Sequence, residues 1–153
     1  MPSRAERAGA RDVRDARAAV AWDTVDLGAG PLGGDRGSDL LIARPDAAGA
    51  PIWARTFPAY PYEGGPQSVA VDGAGNVIVL GNGFGLLDLG GGPLNPNGAI
   101  AKLSPSGDVL WSADPLGDVN NGGILDVAVD SAGNVIGAGS RDNGDAFLVK
   151  LAP

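Results

Sequence analysis

Two stretches of the chain are nearly identical. Residues 69–81 read Val-Ala-Val-Asp-Gly-Ala-Gly-Asn-Val-Ile-Val-Leu-Gly, and residues 127–139 read Val-Ala-Val-Asp-Ser-Ala-Gly-Asn-Val-Ile-Gly-Ala-Gly. Ten of thirteen positions match at an offset of 58 residues. β-Branched residues flank an Asp/Gly/Asn cluster in each copy, which is a hairpin signal. Asp72 can accept hydrogen bonds from the backbone N–H groups ahead of it. Gly75 suits the left-handed position that closes a short loop built on a type I turn. The second strand, Val77 to Leu80, is apolar at consecutive positions, so both its faces must be covered. A lone hairpin cannot do that, whereas sheets stacked face to face can.

Weaker echoes extend the repeat. Val25-Asp-Leu-Gly-Ala-Gly-Pro-Leu32 returns as Leu87-Asp-Leu-Gly-Gly-Gly-Pro-Leu94. An apolar strand ends in a cation three times, at Arg44, Lys102 and Lys150, and a tryptophan follows nine residues after the first two, at Trp53 and Trp111. One unit can be assembled: strands at roughly 67–72, 76–82, 98–103 and 108–113, with tight turns inside the first and second pairs and a longer Gly/Pro connection between the pairs. Four short strands repeated in this way are the signature of a propeller blade. The fold class expected is all-β, a partial β-propeller of about two four-stranded antiparallel blades. Residues 22–153 form the repeat region, with strands C and D over 39–56, a full blade over 67–113, and strands A, B and C over 124–151. Residues 1–21 are Arg/Ala-rich, with good helix propensity but only a thin apolar stripe, and read as a short helical or disordered leader.

Such a chain is too short for a closed propeller of four to eight blades. Either the repeats continue in a longer protein of which this is a truncated fragment, or copies associate into a homo-oligomer to close the ring. Three copies would bring close to the strand count of seven four-stranded blades.

Composition narrows the partners. The net charge is −7, with 11 basic and 18 acidic residues. Five arginines and three acids lie in residues 1–21, leaving six basic against fifteen acidic residues in the body. An acidic body argues against nucleic acid, whose phosphates need clustered Lys and Arg. No apolar run approaches membrane-spanning length, and no signal peptide is visible, so membrane insertion is not expected. Glycine (26) and proline (12) fall between apolar strands, as turns require. The absence of cysteine and histidine excludes Cys–His and Ser-His-Asp catalysis and His- or thiolate-ligated metals.

With these residues in view, the order Asp-Leu-Gly-Gly-Gly-Pro-Leu, an apolar strand ending in Lys, Gly-x-x-x-Trp, then Val-Ala-Val-Asp-x-Ala-Gly-Asn-Val resembles the seven-bladed β-propeller repeat of bacterial surface and secreted proteins. The resemblance covers about residues 24–153. It implies a non-enzymatic structural or binding module, displayed at the cell surface or secreted, without a cofactor. Residues 43–53 also resemble the tryptophan-docking repeat of quinoprotein propellers, but only Gly107 and Trp111 survive in the next copy, so packing of Trp between blades is the expectation.

Chemistry is sought outside the repeats. Gly90, Gly91 and Gly92 precede Pro93 and Pro96 rather than a helix, which speaks for a connection and against a phosphate cradle. Asp72 and Asp130 supply one carboxylate per hairpin and read as turn caps. The loops entering each strand A are expected to crowd at one mouth of the propeller and carry the candidate ligand residues: Tyr60, Tyr62 and Glu63 in one, Asp114, Asp118, Asn120 and Asn121 in the other. Tyr62 beside Glu63 resembles the nucleophile pair of sialidases without their arginine cluster. The second loop offers oxygen ligands for Ca2+. The expected partner is a protein or a glycan. A carboxylate-using hydrolase or lyase, and a fragment with no independent activity, are the alternatives.

Overall fold

The computed structural model describes residues 16–21, 24–28, 30–33, 39–95, 97–116 and 122–153, and these are all-β, with no helix among them. Twelve strands follow in order: β1 Arg17–Ala21, β2 Val25–Asp26, β3 Pro31–Leu32, β4 Asp39–Pro45, β5 Pro51–Val71, β6 Val77–Asp88, β7 Pro93–Leu94, β8 Asn97–Leu103, β9 Val109–Ala113, β10 Gly123–Val129, β11 Val135–Ser140 and β12 Ala146–Leu151. All pairings are antiparallel. Hydrogen bonding runs β1-β4-β5-β6-β8-β9 in one path and β10-β11-β12 in another, with β2-β3 a small ribbon. The described strands close no barrel or ring.

The repeat is reproduced at the level of register. Val71 faces Val77 and Val69 faces Val79, as Val129 faces Val135 and Val127 faces Gly137. Lys102 stands opposite Ile78, and Lys150 opposite Ile136. Three units can therefore be recognised: β1, β4 and the first part of β5; the second part of β5 with β6, β8 and β9; and β10 to β12. The long strand β5 joins the first two, pairing with β4 through Pro58 and with β6 from Ala59 onward.

Alternation explains the core. Along β6, Val77 and Val79 point to one side and Ile78 and Leu80 to the other, and all four are fully buried. The first pair packs with Ala16, Ala18, Leu40, Ile42 and Phe57 of the first unit. The second pair, with Ile100, packs with Ile124, Val127 and Val135 of the third. The consecutive apolar run is the middle layer of a three-layer stack, as its two-sided hydrophobicity requires. Trp53 and Trp111 pack at the first and second of these seams.

The N-terminal segment departs from the sequence expectation where it is described. Residues 17–21 are strand β1, neither helical nor disordered. Ala18 lies opposite Ile42 as Leu80 lies opposite Ile100, so β1 is the first unit's copy of β6. Helix propensity is a weak prior that sheet pairing overrides, and small Ala16 and Ala18 fit the seam where larger residues stand in the next unit. Residues 1–15 of the expected leader lie outside the described residues.

Candidate functional site

The tight turns at Asp46, Asp72, Ser104 and Asp130 occupy one end of the stack, and the turn at Arg141 the other. In the second unit Asp72 Oδ1 accepts from the N–H groups of Ala74 and Asn76, both at 2.9 Å, and Oδ2 accepts from Asn76 Nδ2 at 2.8 Å. Asp130 repeats the pattern on Ala132 and Asn134. A cation from the third strand completes each turn: Lys102 Nζ lies 3.1 Å from Asp72, and Lys150 Nζ 3.0 Å from Asp130. Burial pushes the Asp72 carboxyl upward, but the Asn76 side chain, backbone N–H groups and Lys102 outweigh it and hold it at about 2, below its ordinary 3.8. Asn134, Lys150 and backbone N–H groups hold Asp130 well below the carboxylate range as well. These repeated polar groups are engaged in structure at both copies.

The first unit uses its cation differently. Arg44 Nη1 donates to the carbonyls of Gly75 and Pro105 at 3.2 Å, across the seam into the second unit's turns. Trp53 Nε1 donates to the same Pro105 carbonyl at 2.9 Å. Gly107 lies beneath the Trp53 ring, at φ +89°, where a Cβ would come within 2.8 Å of the indole. Gly107 and Trp53 thus interlock successive units, and the Gly-x-x-x-Trp spacing repeats because the seam does.

The glycine run is also structural. Asp88 Oδ1 accepts from the N–H groups of Gly90 and Gly92, as Asp26 Oδ1 does from those of Gly28 and Gly30. A Cβ on Gly90 would meet Val109, and one on Gly91 would meet the Ser112 hydroxyl. The run lies flat on β9, with its backbone N–H groups turned to an internal carboxylate, which is no cradle for a phosphate.

The opposite end of the stack holds the less regular polar groups. Asp114, just past β9, accepts from Asn95 N–H at 3.2 Å and Asn95 Nδ2 at 3.1 Å, clasping the two connections together. Ser68 Oγ donates to Asp126 Oδ1 at 2.5 Å, tying β5 to β10 across the second seam. Asn82 Nδ2 donates to the Ile124 carbonyl at 3.0 Å on the same seam, while its buried Oδ1 has no hydrogen-bond partner among the described residues. This cluster is not among the candidate residues that the sequence points to. Ser68 and Asp126 are 58 residues apart, the repeat offset, so a break in the repeat at that position was the available signal.

Of the candidate ligand residues, Asp114 is placed at this end. Tyr60, Tyr62 and Glu63 do not form a loop: they lie in the unbroken strand β5, and the register slips between Pro61 and Gly64, which puts Tyr62 and Glu63 in a bulge. Such bulges re-aim side chains and favour sheet rims and binding sites. The side chains of these three residues, and the whole of Asp118, Asn120 and Asn121, lie outside what the structure describes. Among the described residues, no three or more acidic, histidine or cysteine side chains are grouped to hold a metal. No helix there is long and apolar enough to cross a membrane.

Comparison with protein-family models and with curated proteins finds no match to this chain.

Proposed function

We propose that the chain is a segment of a propeller-type repeat scaffold, of the kind that bacterial surface and secreted proteins carry, and that it binds a protein or glycan without catalysing a reaction. One observation carries the reading: three in-register sheet units stack face on face, and the polar residues they repeat are engaged in caps, ion pairs and seams. What is left to vary is the end bearing the β5 bulge, Asn95, Asp114, Ser68 and Asp126. A rigid stack that presents an unrepeated polar rim is suited to recognition, because the units beneath the rim are fixed before a ligand arrives. Tyr60, Tyr62 and Glu63 at the bulge supply the aromatic and acidic character that glycan and protein ligands both use. Closure of the stack into a propeller belongs to the same proposal.

The test is a glycan and protein binding screen with the wild-type chain, followed by titration of each hit. Tyr62→Ala, Glu63→Gln and Asp114→Ala should each weaken binding, whereas Ala48→Ser, in an exposed turn at the other end, should not. Binding that the rim variants leave intact would refute the assignment. Turnover of a glycan that Glu63→Gln abolishes would replace it with the hydrolase alternative.

A further inference from the structure

A cation closes the same strand in every unit. Arg44 lies opposite Trp53 as Lys102 lies opposite Trp111. Lys150 lies opposite Ile136 as Lys102 lies opposite Ile78. In the second and third units that cation holds a carboxylate, Asp72 at 3.1 Å and Asp130 at 3.0 Å. The sequence of the first unit lacks the carboxylate: the spacing that relates Arg17 to Val79 relates Ala10 to Asp72. Among the described residues no acidic side chain contacts Arg44, and its hydrogen bonds run to the Gly75 and Pro105 carbonyls, both from Nη1. The hydrogens of Nη1 are thereby used, and the Nε–Nη2 edge of the guanidinium has no partner among the described residues. Gly75 and Pro105 flank the group, and a Cβ on Gly75 would stand 3.6 Å from both Nη1 and Nη2.

We infer that this edge of Arg44 binds a carboxylate brought by a ligand, and that the ligand is an acidic saccharide, a hexuronate. The Nε–Nη2 edge offers two parallel N–H donors that match the two oxygens of a carboxylate. The bonds from Nη1 fix the guanidinium plane before a ligand arrives. Arginine stands here where the paired units have lysine, whose ammonium is a point charge without a fork. Charge selects among oxyanions. Asp46 and Asp108 are exposed on turns at the same end, and the whole chain carries −7. A singly charged carboxylate is therefore favoured over a doubly charged phosphate. The turn that carries Pro105 suits the rest of a sugar. Ser104 and Ser106 share a hydrogen bond there, and Ser106 Oγ donates to Asp108 Oδ2 at 3.1 Å. Hydroxyl and carboxylate groups set side by side exchange hydrogen bonds with the hydroxyls of a sugar ring. An acidic protein side chain brings no hydroxyls to them, and an acidic protein segment is repelled by the chain as a whole. The site lies at the opposite end of the stack from Asp114 and Asp126 and is separate from the rim.

Titration of the wild-type chain with glucuronate tests this, with glucose as the uncharged analogue and acetate as the bare carboxylate. Followed by NMR, the Arg44 Nε–H resonance should move saturably with glucuronate and stay in place with glucose. Acetate should bind about tenfold more weakly or worse, since it lacks the ring hydroxyls. Added salt should weaken glucuronate binding by screening. Arg44→Lys keeps the charge and removes the fork, and should weaken glucuronate binding about tenfold or more. Tyr62→Ala and Asp114→Ala should leave it unchanged, which separates this site from the rim. Circular dichroism establishes that each variant is folded, and the wild-type resonance supplies a readout that needs no variant. An Arg44 resonance that glucuronate leaves in place, acetate bound as tightly as glucuronate, or a folded Arg44→Lys variant that binds like the wild type would each overturn the inference. So would an acidic peptide that occupies Arg44 more tightly than glucuronate does.

Discussion

Asp72 with Lys102 and Asp130 with Lys150 are one ion pair built twice, at 3.1 and 3.0 Å, on the same turn and the same strand register. Their surroundings differ. In the second unit the side chains are 4% and 7% exposed, and in the third 26% and 61%. The local sequence is not the cause, since the turns are almost the same. The second unit is covered by the third, and the third is covered by nothing among the described residues. The same residues thus serve as a buried pair in one place and as a surface pair in the other. That separates what a repeat motif specifies, the turn and its cation, from what stacking specifies, the environment of both.

Replacement of the cation gives the largest expected contrast. Lys102→Met leaves the Asp72 carboxylate buried without its partner and should cost about 3–5 kcal/mol. Lys150→Met removes a solvated partner and should cost less than about 1 kcal/mol. Urea denaturation of both variants measures the difference, and equal losses would break the comparison. A second contrast avoids charge altogether. Ile100 and Leu148 occupy matching positions on β8 and β12, the one fully buried and the other 76% exposed. Ile100→Ala should cost about 2–5 kcal/mol and Leu148→Ala within about 0.5 kcal/mol, measured at concentrations where the chain is monomeric.

Acid titration of stability sharpens the comparison on the carboxylate side. Asp72 ionises at about 2 in the folded chain against an ordinary 3.8. A folded value below the unfolded one stabilises the fold above the unfolded value, and the benefit disappears as pH falls through 3.8 toward about 2. The contribution is about 2 kcal/mol at neutral pH. Denaturation midpoints should be flat above pH 5 and drop steeply below pH 4, and Asp72→Asn should flatten the drop. A profile that Asp72→Asn does not alter would show that Asp72 carries no part of the acid sensitivity.

The smallest expected effect concerns the seam glycine. Gly49 and Gly107 close equivalent turns with the same φ of +89°, but only Gly107 lies against the Trp53 ring. Gly49→Ala should cost about 1–2 kcal/mol, the backbone strain alone. Gly107→Ala adds displacement of Trp53 and should cost measurably more, with a change in tryptophan fluorescence. Equal costs would show that the indole moves aside freely.

Much of this could be read from residues, because turns and strands are local. Asp72, Gly75 and Asn76 specify their hairpin, and the two-sided apolar run from Val77 specifies a covered layer. Residues 17–21 could not be read from composition, since Arg and Ala favour a helix in isolation and the strand exists through its pairing with β4. Spacing held the missing signal: Arg17 precedes Val25 as Val79 precedes Leu87, which places it in the second strand of a unit. The bulge at Tyr62 and Glu63 was hidden for a related reason. Nothing local tells a loop between two strands from one long strand with a slip, and only pairing of residues 59–71 with β6 decides it. The unequal burial of the two ion pairs is set by which unit has a neighbour, a property of the stack that no single repeat contains.

Native-state hydrogen exchange at low protein concentration tests the stacking account most directly. The middle unit, covered on both sides, should open only with global unfolding, so amides of Ile78, Leu80 and Ile100 should share the highest protection. The equivalent amides of Ile136, Ala138 and Leu148 should exchange through a partial opening of lower free energy. Equal protection at the two sets of positions would contradict the claim that stacking, and not the repeat motif, sets how firmly each unit is held.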